Sequence, residues 1–496
     1  MAIGVWISLF AYFALMIVIG LWAMRTSSAT AEDYMLGGRA LSPKVAALSA
    51  GASDMSGWLL LGLPGAIYVT GLASAWIGIG LFVGAFINWV VVAPRLREQT
   101  VHYGNALTIP AFLANRFPTK ALPLRTVSAI VIVLFFAVYT ASGLVAGGKL
   151  FESAFAGIFN FGGMSDYAAG IVITLGVVLA YTVVGGFLAV SMTDFVQGCI
   201  MMLALVIMPA VVLFGEGGGG FAQASDTLNS VDPTLLSWTE GLTVIGWLSA
   251  VTWGLGYFGQ PHIIVRFMAI RTVGEVGTAR NIGMSWMGIS LIGAIALGVF
   301  GRAYAVRNGL DVADPETIFI VLSDLLFHPL ITGFLYAALL AAVMSTISSQ
   351  LLVSSASLTE DFYRLFLRKE ATDKECVNVG RACVVAVGLV AAFIASDPDS
   401  QVLGLVSNAW AGFGAAFGPL IILALTWPRT NGAGALAGLI VGAATVMIWI
   451  SLGWNGEFMG GPGVYEIIPG FIAAFVAIVV VTLATSDAGE YQHIER

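Results

Sequence analysis

Long runs of apolar residues, separated by short polar connections, dominate the chain from one end to the other. Each run is close to the roughly 20 residues that an α-helix needs to cross a bilayer. The pattern predicts thirteen membrane-spanning segments, at residues 4–24, 43–68, 71–93, 124–148, 166–185, 189–214, 241–264, 281–302, 328–353, 379–396, 402–426, 432–453 and 464–485. We therefore predict an all-α integral membrane protein in which residues 1–496 form a single transmembrane domain.

The positions of lysine and arginine predict the orientation of these segments, because cytoplasmic loops carry an excess of basic residues. With the N-terminus outside, all but three of the 21 basic residues, up to Arg496, fall on the cytoplasmic side. The exceptions are Lys149, Arg302 and Arg307. A miscounted helix would scramble this asymmetry, so we expect thirteen spans with the C-terminus in the cytoplasm. No basic residue precedes the first segment, which favours a retained helix over a cleaved signal.

Composition excludes several classes of function. The chain is 58% hydrophobic and 10% charged, whereas soluble proteins carry about 25% charged residues. A net charge of -7 without a basic patch gives no reason to expect nucleic acid as a partner. The expected partners on the protein surface are membrane lipids. The sequence contains no P-loop, so ATP is not the expected energy source. No enzymatic constellation or metal-ligand spacing stands out, and we expect no cofactor.

Two segments carry residues that interrupt a helix. Segment two contains "GASDMSG" (51–57) followed by "GLPG" (62–65), and segment seven contains "WGLGYFGQPH" (253–262). Backbone groups freed at membrane depth are tolerated only where protein or a cavity satisfies them. Glycine is also common as a packing residue in membrane helices, which is the alternative. Five helices separate the start of segment two from the start of segment seven, so the two segments begin halves of opposite direction. This arrangement favours a transporter binding site at the midplane.

Oxygen-bearing groups next to the first break suggest a sodium site. In "AAVMSTISSQ", residues Ala342, Ser345 and Thr346 share one helix face. The break in segment two would expose the carbonyls of Ala52 and Met55, and carbonyl and hydroxyl oxygens can replace the hydration shell of an ion. The alternative is that Ser345 and Thr346 only bond back to their own helix.

Two acids lie at membrane depth, where ionisable residues are functional candidates by default. Asp54 sits at the first break, and its alternative role is to cap freed backbone amides. Asp194 lies near the end of segment six, where a simple interfacial charge is the alternative. Aromatic and hydroxyl residues around the breaks suggest a pocket for a small solute, although aromatic stripes often serve packing. The candidates are Ser56, Trp58, Tyr139, Trp253, Tyr257 and Pro261. The last three are spaced i, i+4 and i+8 on segment seven, so we expect them to form a stripe on one face of a helix.

Longer stretches of the chain resemble the sodium:solute symporter family, and in particular its bacterial sodium/proline branch. The resemblance lies in residues 33–72, with "DMSGWLLLGLPG", and in 253–269, 341–364, 402–419 and "YEIIPGF" (465–471). It implies a leucine-transporter-type core of two inverted five-helix repeats, helices 2–6 and 7–11. These would be residues 43–214 and 241–426, with one extra helix before them at 4–24 and two after them at 432–485.

The resemblance also implies a function and roles for residues. It implies uptake of L-proline across the cytoplasmic membrane of a bacterium by alternating access, coupled to one sodium ion per proline. Asp54 and Asp194 would support sodium. The implied sodium ligands are Ala52, Met55, Ala342, Ser345 and Thr346, and the implied proline-binding residues are Ser56, Trp58, Tyr139, Trp253, Tyr257 and Pro261. There are three alternatives. The first is the same transport mechanism with another solute, such as pantothenate or a sugar. The others are a solute sensor and a channel.

Overall fold

The helices of the computed structural model follow the apolar segments of the sequence. The structure describes residues 2–26, 30–159 and 163–485, so the predicted cytoplasmic tail with Arg496 lies outside the described residues. In the described part, eleven helical stretches are long and apolar enough to cross a membrane. This confirms an all-α membrane protein. The second and seventh segments are divided into shorter helices, and the total of thirteen crossings stays a prediction.

Among the described residues, the first half of the chain forms nine α-helices, which are α1 (Ile3–Thr26), α2 (Ala31–Leu36), α3 (Pro43–Asp54), α4 (Leu63–Thr70), α5 (Ala75–His102), α6 (Ile109–Arg116), α7 (Ala121–Ala154), α8 (Asp166–Phe214) and α9 (Gly220–Val231). The second half forms α10 (Val244–Val251), α11 (Pro261–Ala269), α12 (Val276–Arg307), α13 (Ile318–Leu326), α14 (Pro329–Ala356), α15 (Asp373–Ile394), α16 (Val402–Thr426), α17 (Gly432–Ser451) and α18 (Ile467–Ala484). A short antiparallel pair, β1 (Glu457–Phe458) and β2 (Gly461–Pro462), precedes α18.

Segment two is interrupted where the sequence predicts. Its first helix, α3, ends at Asp54, and Met55 leaves helical geometry with φ -75° and ψ 12°. Wide π-helical turns at Trp58–Gly62 then lead into α4. Gly57 allows the close approach of α7, because a Cβ there would lie 2.8 Å from Cβ of Ala146.

Segment seven is interrupted more severely. After α10 the chain runs through 3₁₀ turns at Thr252–Gly259 and an extended residue, Gln260, before α11 begins. A Cβ on Gly256 would lie 1.9 Å from Nε1 of Trp410, so only glycine fits against α16 at this point. Residues four apart in 3₁₀ turns point about 120° away from each other. The expected single face of Trp253, Tyr257 and Pro261 is therefore wrong.

The long helix α8 contains the fifth and sixth predicted segments. They meet at Gly186, whose φ of 60° and ψ of -156° break the helix. This backbone conformation favours glycine, and a Cβ would also lie 2.7 Å from the ring of Tyr34.

Burial separates the central helices from the outer ones. In their most apolar stretches, 83% of α14 and 89% of α16 are buried, but only 28% of α1 and 28% of α18. Helices that are apolar all round and still exposed on one side are those expected to face lipid. The two interrupted segments contact these buried helices, since α3 packs against α14 and the turns at Thr252–Gly259 pack against α16. Protein groups can there satisfy the freed backbone.

Candidate functional site

Four of the five predicted sodium ligands lie together between α3 and α14. Oγ of Ser345 lies 2.8 Å from the carbonyl oxygen of Ala52 and 3.1 Å from that of Ala342. Oγ1 of Thr346 lies 3.5 Å and 3.2 Å from the same two carbonyls. The two hydroxyl groups together carry two protons, and they share these between the two carbonyl oxygens. Oxygen lone pairs therefore outnumber the protons of the hydroxyl groups, and the remaining lone pairs could coordinate a cation. Met55, fully buried, follows at the break where α3 ends.

Asp54 connects the first break to two other segments. Tyr257 donates its hydroxyl to Oδ2 of Asp54, from the second interrupted segment. The main-chain oxygen of Asp54 accepts bonds from Tyr139 Oη at 3.3 Å and from Trp58 Nε1 at 3.4 Å. The carboxylate therefore meets a side chain 203 residues away, rather than serving only to cap the break.

Asp54 also lines a small cavity that the sequence does not predict. The cavity, of about 20 Å³, is lined by Asp54, Tyr257 and Asn88 of α5. Within the described chain, Oδ1 of Asp54 and both polar atoms of the Asn88 side chain are buried without hydrogen-bond partners. A cavity of this size has room for one water or small ion. The local signal for Asn88 was an amide side chain within the apolar stretch 75–94 of α5.

A chain of aromatic rings leads from Asp54 to a large cavity. The ring of Tyr257 meets Trp410 of α16 edge-on, with centroids 5.0 Å apart. Trp410 Nε1 donates to the main-chain oxygen of Trp253 at 2.7 Å. The ring of Trp253 stacks on Tyr465, with centroids 5.1 Å apart, and both line a cavity of about 1190 Å³. Trp410 and Tyr465 lie in stretches that resemble the family, but spacing alone gave neither a role.

The remaining predicted pocket residues divide into two groups. Oγ of Ser56 accepts from the main-chain N–H of Trp58 at 3.4 Å, so Ser56 stays beside the first break. Pro261 begins α11 and lines a separate small cavity with Phe187 and Ile132. The structure thus gathers Ser56, Trp58, Tyr139 and Tyr257 around Asp54, with Trp253 one aromatic layer further out. Pro261 lies apart.

The sequence matches the model of the sodium:solute symporter family over residues 34–442. The chain belongs to this family. Two similar proteins of Bacillus subtilis (strain 168) are the high-affinity proline transporter PutP, 55% identical over 95% of this chain and 96% of that protein, and the osmoregulated proline transporter OpuE, 51% identical over 98% and 96%. The sodium/proline symporter of Staphylococcus aureus (strain JH9) is 48% identical over 97% of this chain and 92% of its own. Members of this family are transporters, not enzymes.

Solved structures confirm the leucine-transporter type of fold. A Na⁺-coupled sialic acid symporter in a substrate-bound, outward-open state superposes with a TM-score of 0.78 at 20% identity, covering 97% of this chain and 98% of its own. The nucleobase-cation-symport transporter Mhp1, in a closed conformation, superposes with a TM-score of 0.57 at 14% identity, covering 93% and 97%.

In this symporter, Asp194 is the centre of a buried ion pair rather than an interfacial charge. Its Oδ2 lies 3.1 Å from Nη2 of Arg266, and both side chains are fully buried. Ser49 of α3 donates to the same oxygen at 2.7 Å, and Ser349 of α14 lies at 3.4 Å. The pair thus links α3, α8, α11 and α14. Arg266, which the charge pattern assigned to the cytoplasmic side, is fully buried within the protein.

Arg39 closes the loop before α3. Its guanidinium donates to the main-chain oxygens of Met268 at 2.8 Å and Ala106 at 2.7 Å. Burial lowers the pKa of Arg39 to about 10, which still leaves it charged at neutral pH. The loop before segment two is therefore hydrogen-bonded to the end of α11.

Proposed function

We propose that this chain carries L-proline into a bacterial cell together with sodium, one ion per proline, by alternating access across the cytoplasmic membrane. The observation that carries the proposal is the cluster of Ala52, Ala342, Ser345 and Thr346 oxygens between the broken segment two and α14. The names of the relatives, which are proline transporters and sodium/proline symporters, support the choice of substrate.

Sodium would act by tying α3 to α14. Carbonyl oxygens at the end of a half-helix carry partial negative charge, which suits a cation. Met55 would contribute its carbonyl oxygen as a further ligand. Asp54 would fix the position of the break through its hydrogen bond with Tyr257. Ordering the break by sodium raises the affinity for proline, and by reciprocity proline raises the affinity for sodium by the same factor.

Proline would bind among the groups that surround the break. The aromatic faces of Trp58, Tyr139 and Tyr257 suit an apolar ring, while hydroxyls and free main-chain groups suit its carboxylate and ammonium. Trp253 would separate the proline-binding space from the large cavity. Pro261 lines a different cavity, so it would contribute to proline binding indirectly, through the helix break that it helps to form.

We further propose that residues 43–214 and 241–426 are two inverted repeats, with 4–24 before them and 432–485 after them. Interrupted segments at the start of both halves support this division. We place the N-terminus outside and the C-terminus in the cytoplasm, on the distribution of basic residues. Asp194 would act on the side of the sodium site that opens inward, through Ser49 and Ser349.

The available driving force is sufficient for one sodium per proline. A ~tenfold sodium gradient supplies about 1.4 kcal/mol, and a potential of ~100 mV adds about 2.3 kcal/mol. The sum of roughly 3.7 kcal/mol supports on the order of 500-fold accumulation of proline.

Uptake of labelled L-proline into proteoliposomes tests the proposal, with an inward sodium gradient compared with an inward potassium gradient. We expect accumulation above the external concentration only with sodium. Stronger competition by another unlabelled solute would mean that the substrate is wrong. Sodium-dependent binding without uptake would indicate a sensor, and rates far above ~10³ per second would indicate a channel.

A further inference from the structure

The charged residues that line the large cavity beside Trp253 are all acidic. Of the residues that line its 1190 Å³ in the described chain, six are acidic and none is lysine or arginine; the acids are Asp232, Glu240, Asp314, Glu316, Asp399 and Glu466. Lys149 lies behind the wall, and its Nζ bonds Asp314 at 2.7 Å and Glu316 at 2.9 Å, so those two carboxylates are paired. A cleft lined by one sign of charge concentrates ions of the other sign.

The six acids differ in their surroundings. Asp232, Glu240 and Asp399 are exposed, so water screens them. Glu466 is only 1% exposed, and its Oε1 has no hydrogen-bond partner within the described residues although the side chain lines the cavity. None of the ion pairs formed by the described residues includes Glu466. A buried carboxylate without a cation is costly, so a cation bound at this oxygen would stabilise its charged form.

Neighbouring contacts hold Glu466 next to the aromatic layer of the proposed substrate site. Tyr465, directly before it, stacks on Trp253 and donates its hydroxyl to the main-chain oxygen of Ser407 at 3.0 Å. The main-chain N–H of Tyr465 donates to Oγ of Ser249 at 3.2 Å. Tyr465 thereby joins the start of α18 to segment seven and to α16. Glu466, the next residue, lines the same cavity as Tyr465 and Trp253.

We infer that Glu466 is a binding group for a monovalent cation in the wall of this cavity, on the route to the site around Asp54. The inference rests on the proposed function and adds that two cationic groups reach the site through this cavity. One is sodium, and the other is the ammonium group of proline. Both would gain a charge-assisted contact with the unpaired Oε1, and an anionic solute would be repelled.

The test compares Glu466→Gln with Asp399→Asn, a matched neutralisation of an exposed acid in the same cavity. Two measurements are made: thermal stabilisation of purified protein by sodium chloride against choline chloride, and initial rates of proline uptake. We expect Glu466→Gln to raise either the half-saturating sodium concentration or the KM for proline at saturating sodium by about tenfold, the equivalent of ~1.4 kcal/mol. Asp399→Asn should change both by less than about twofold, as expected for a screened charge.

The two arms separate the sources of the cation. A shift in sodium dependence alone assigns the group to sodium, and a shift in the proline KM alone assigns it to the ammonium group. If both values stay within about twofold of wild type, the inference is overturned. Should Glu466→Gln fail to fold, Glu466→Met replaces it, because it also removes the charge, and an unchanged cation dependence in that variant overturns the inference equally. If wild-type protein does not transport proline, the proposed function fails, while sodium-dependent stabilisation still tests Glu466.

Discussion

Replacing Ser345 with alanine tests the oxygen cluster on which the proposed sodium site depends. Oγ of Ser345 is fully buried and lies 2.8 Å from the carbonyl of Ala52, so the change removes the shorter of the two hydroxyl contacts between α14 and α3. Thr346 is too distant to replace it, because its hydroxyl lies 3.5 Å from the same carbonyl. We expect Ser345→Ala to weaken sodium binding more than Thr346→Ala does.

The size of the effect follows from the charge of the ligand. A contact with a charged group contributes about 1.5–3 kcal/mol, against about 0.5–1.5 kcal/mol for a neutral hydrogen bond. Loss of one oxygen ligand should therefore raise the half-saturating sodium concentration by a factor of about 10 to 150. Because coupling is reciprocal, the KM for proline should rise at low sodium and return towards the wild-type value at saturating sodium.

The assay is the initial rate of labelled proline uptake as a function of sodium, with choline chloride keeping the ionic strength constant. Ser323→Ala is the matched control, because Ser323 is equally buried and its hydroxyl bonds its own helix at Phe319, 2.6 Å away. It should leave the sodium dependence unchanged. An unaltered sodium dependence in folded, transporting Ser345→Ala protein would refute the assignment of this cluster to sodium.

Three other substitutions test the surroundings of the site. Asp54→Asn should weaken both sodium and proline binding, since it removes the charge beside the break, and sodium-dependent proline binding measures both. Gly256→Ala would place a Cβ 1.9 Å from Trp410 and should lower the free energy of unfolding by about 1–3 kcal/mol, measured as a lower melting temperature with loss of uptake. Arg266→Met should destabilise by about 3–5 kcal/mol, because it leaves Asp194 buried without its partner.

Each of these substitutions has a control or an outcome that would contradict it. Unchanged sodium affinity in Asp54→Asn would exclude a role for this carboxylate in ion binding. Gly274→Ala should be harmless, because a Cβ there meets nothing within 4 Å. Arg271→Met should cost no more than about 0.5 kcal/mol, since its pair with Glu275 is exposed. Equal destabilisation by Arg266→Met and Arg271→Met would contradict the importance of the buried pair.

Local features of the sequence were sufficient for the helices and for the two breaks. Apolar runs of membrane length predict helices because lipid leaves the backbone no other partner than itself. Glycine and proline predict the interruptions at residues 51–65 and 253–262 because they weaken or remove helical hydrogen bonds nearby. The shared face of Ala342, Ser345 and Thr346 follows from the period of one regular helix, and the structure confirms it.

Contacts between distant segments were decided only by the tertiary structure. Asp54 finds Tyr257, and Asp194 finds Arg266, across 203 and 72 residues, and no local pattern states such pairings. Pro261 departs from the predicted stripe because the chain before it forms 3₁₀ turns, whose period depends on packing against α16. The sequence by itself determined which residues could serve an ion and a small solute. Packing of the helices decided which of them meet, because burial and hydrogen bonding act between groups that are close in space, whatever their separation along the chain.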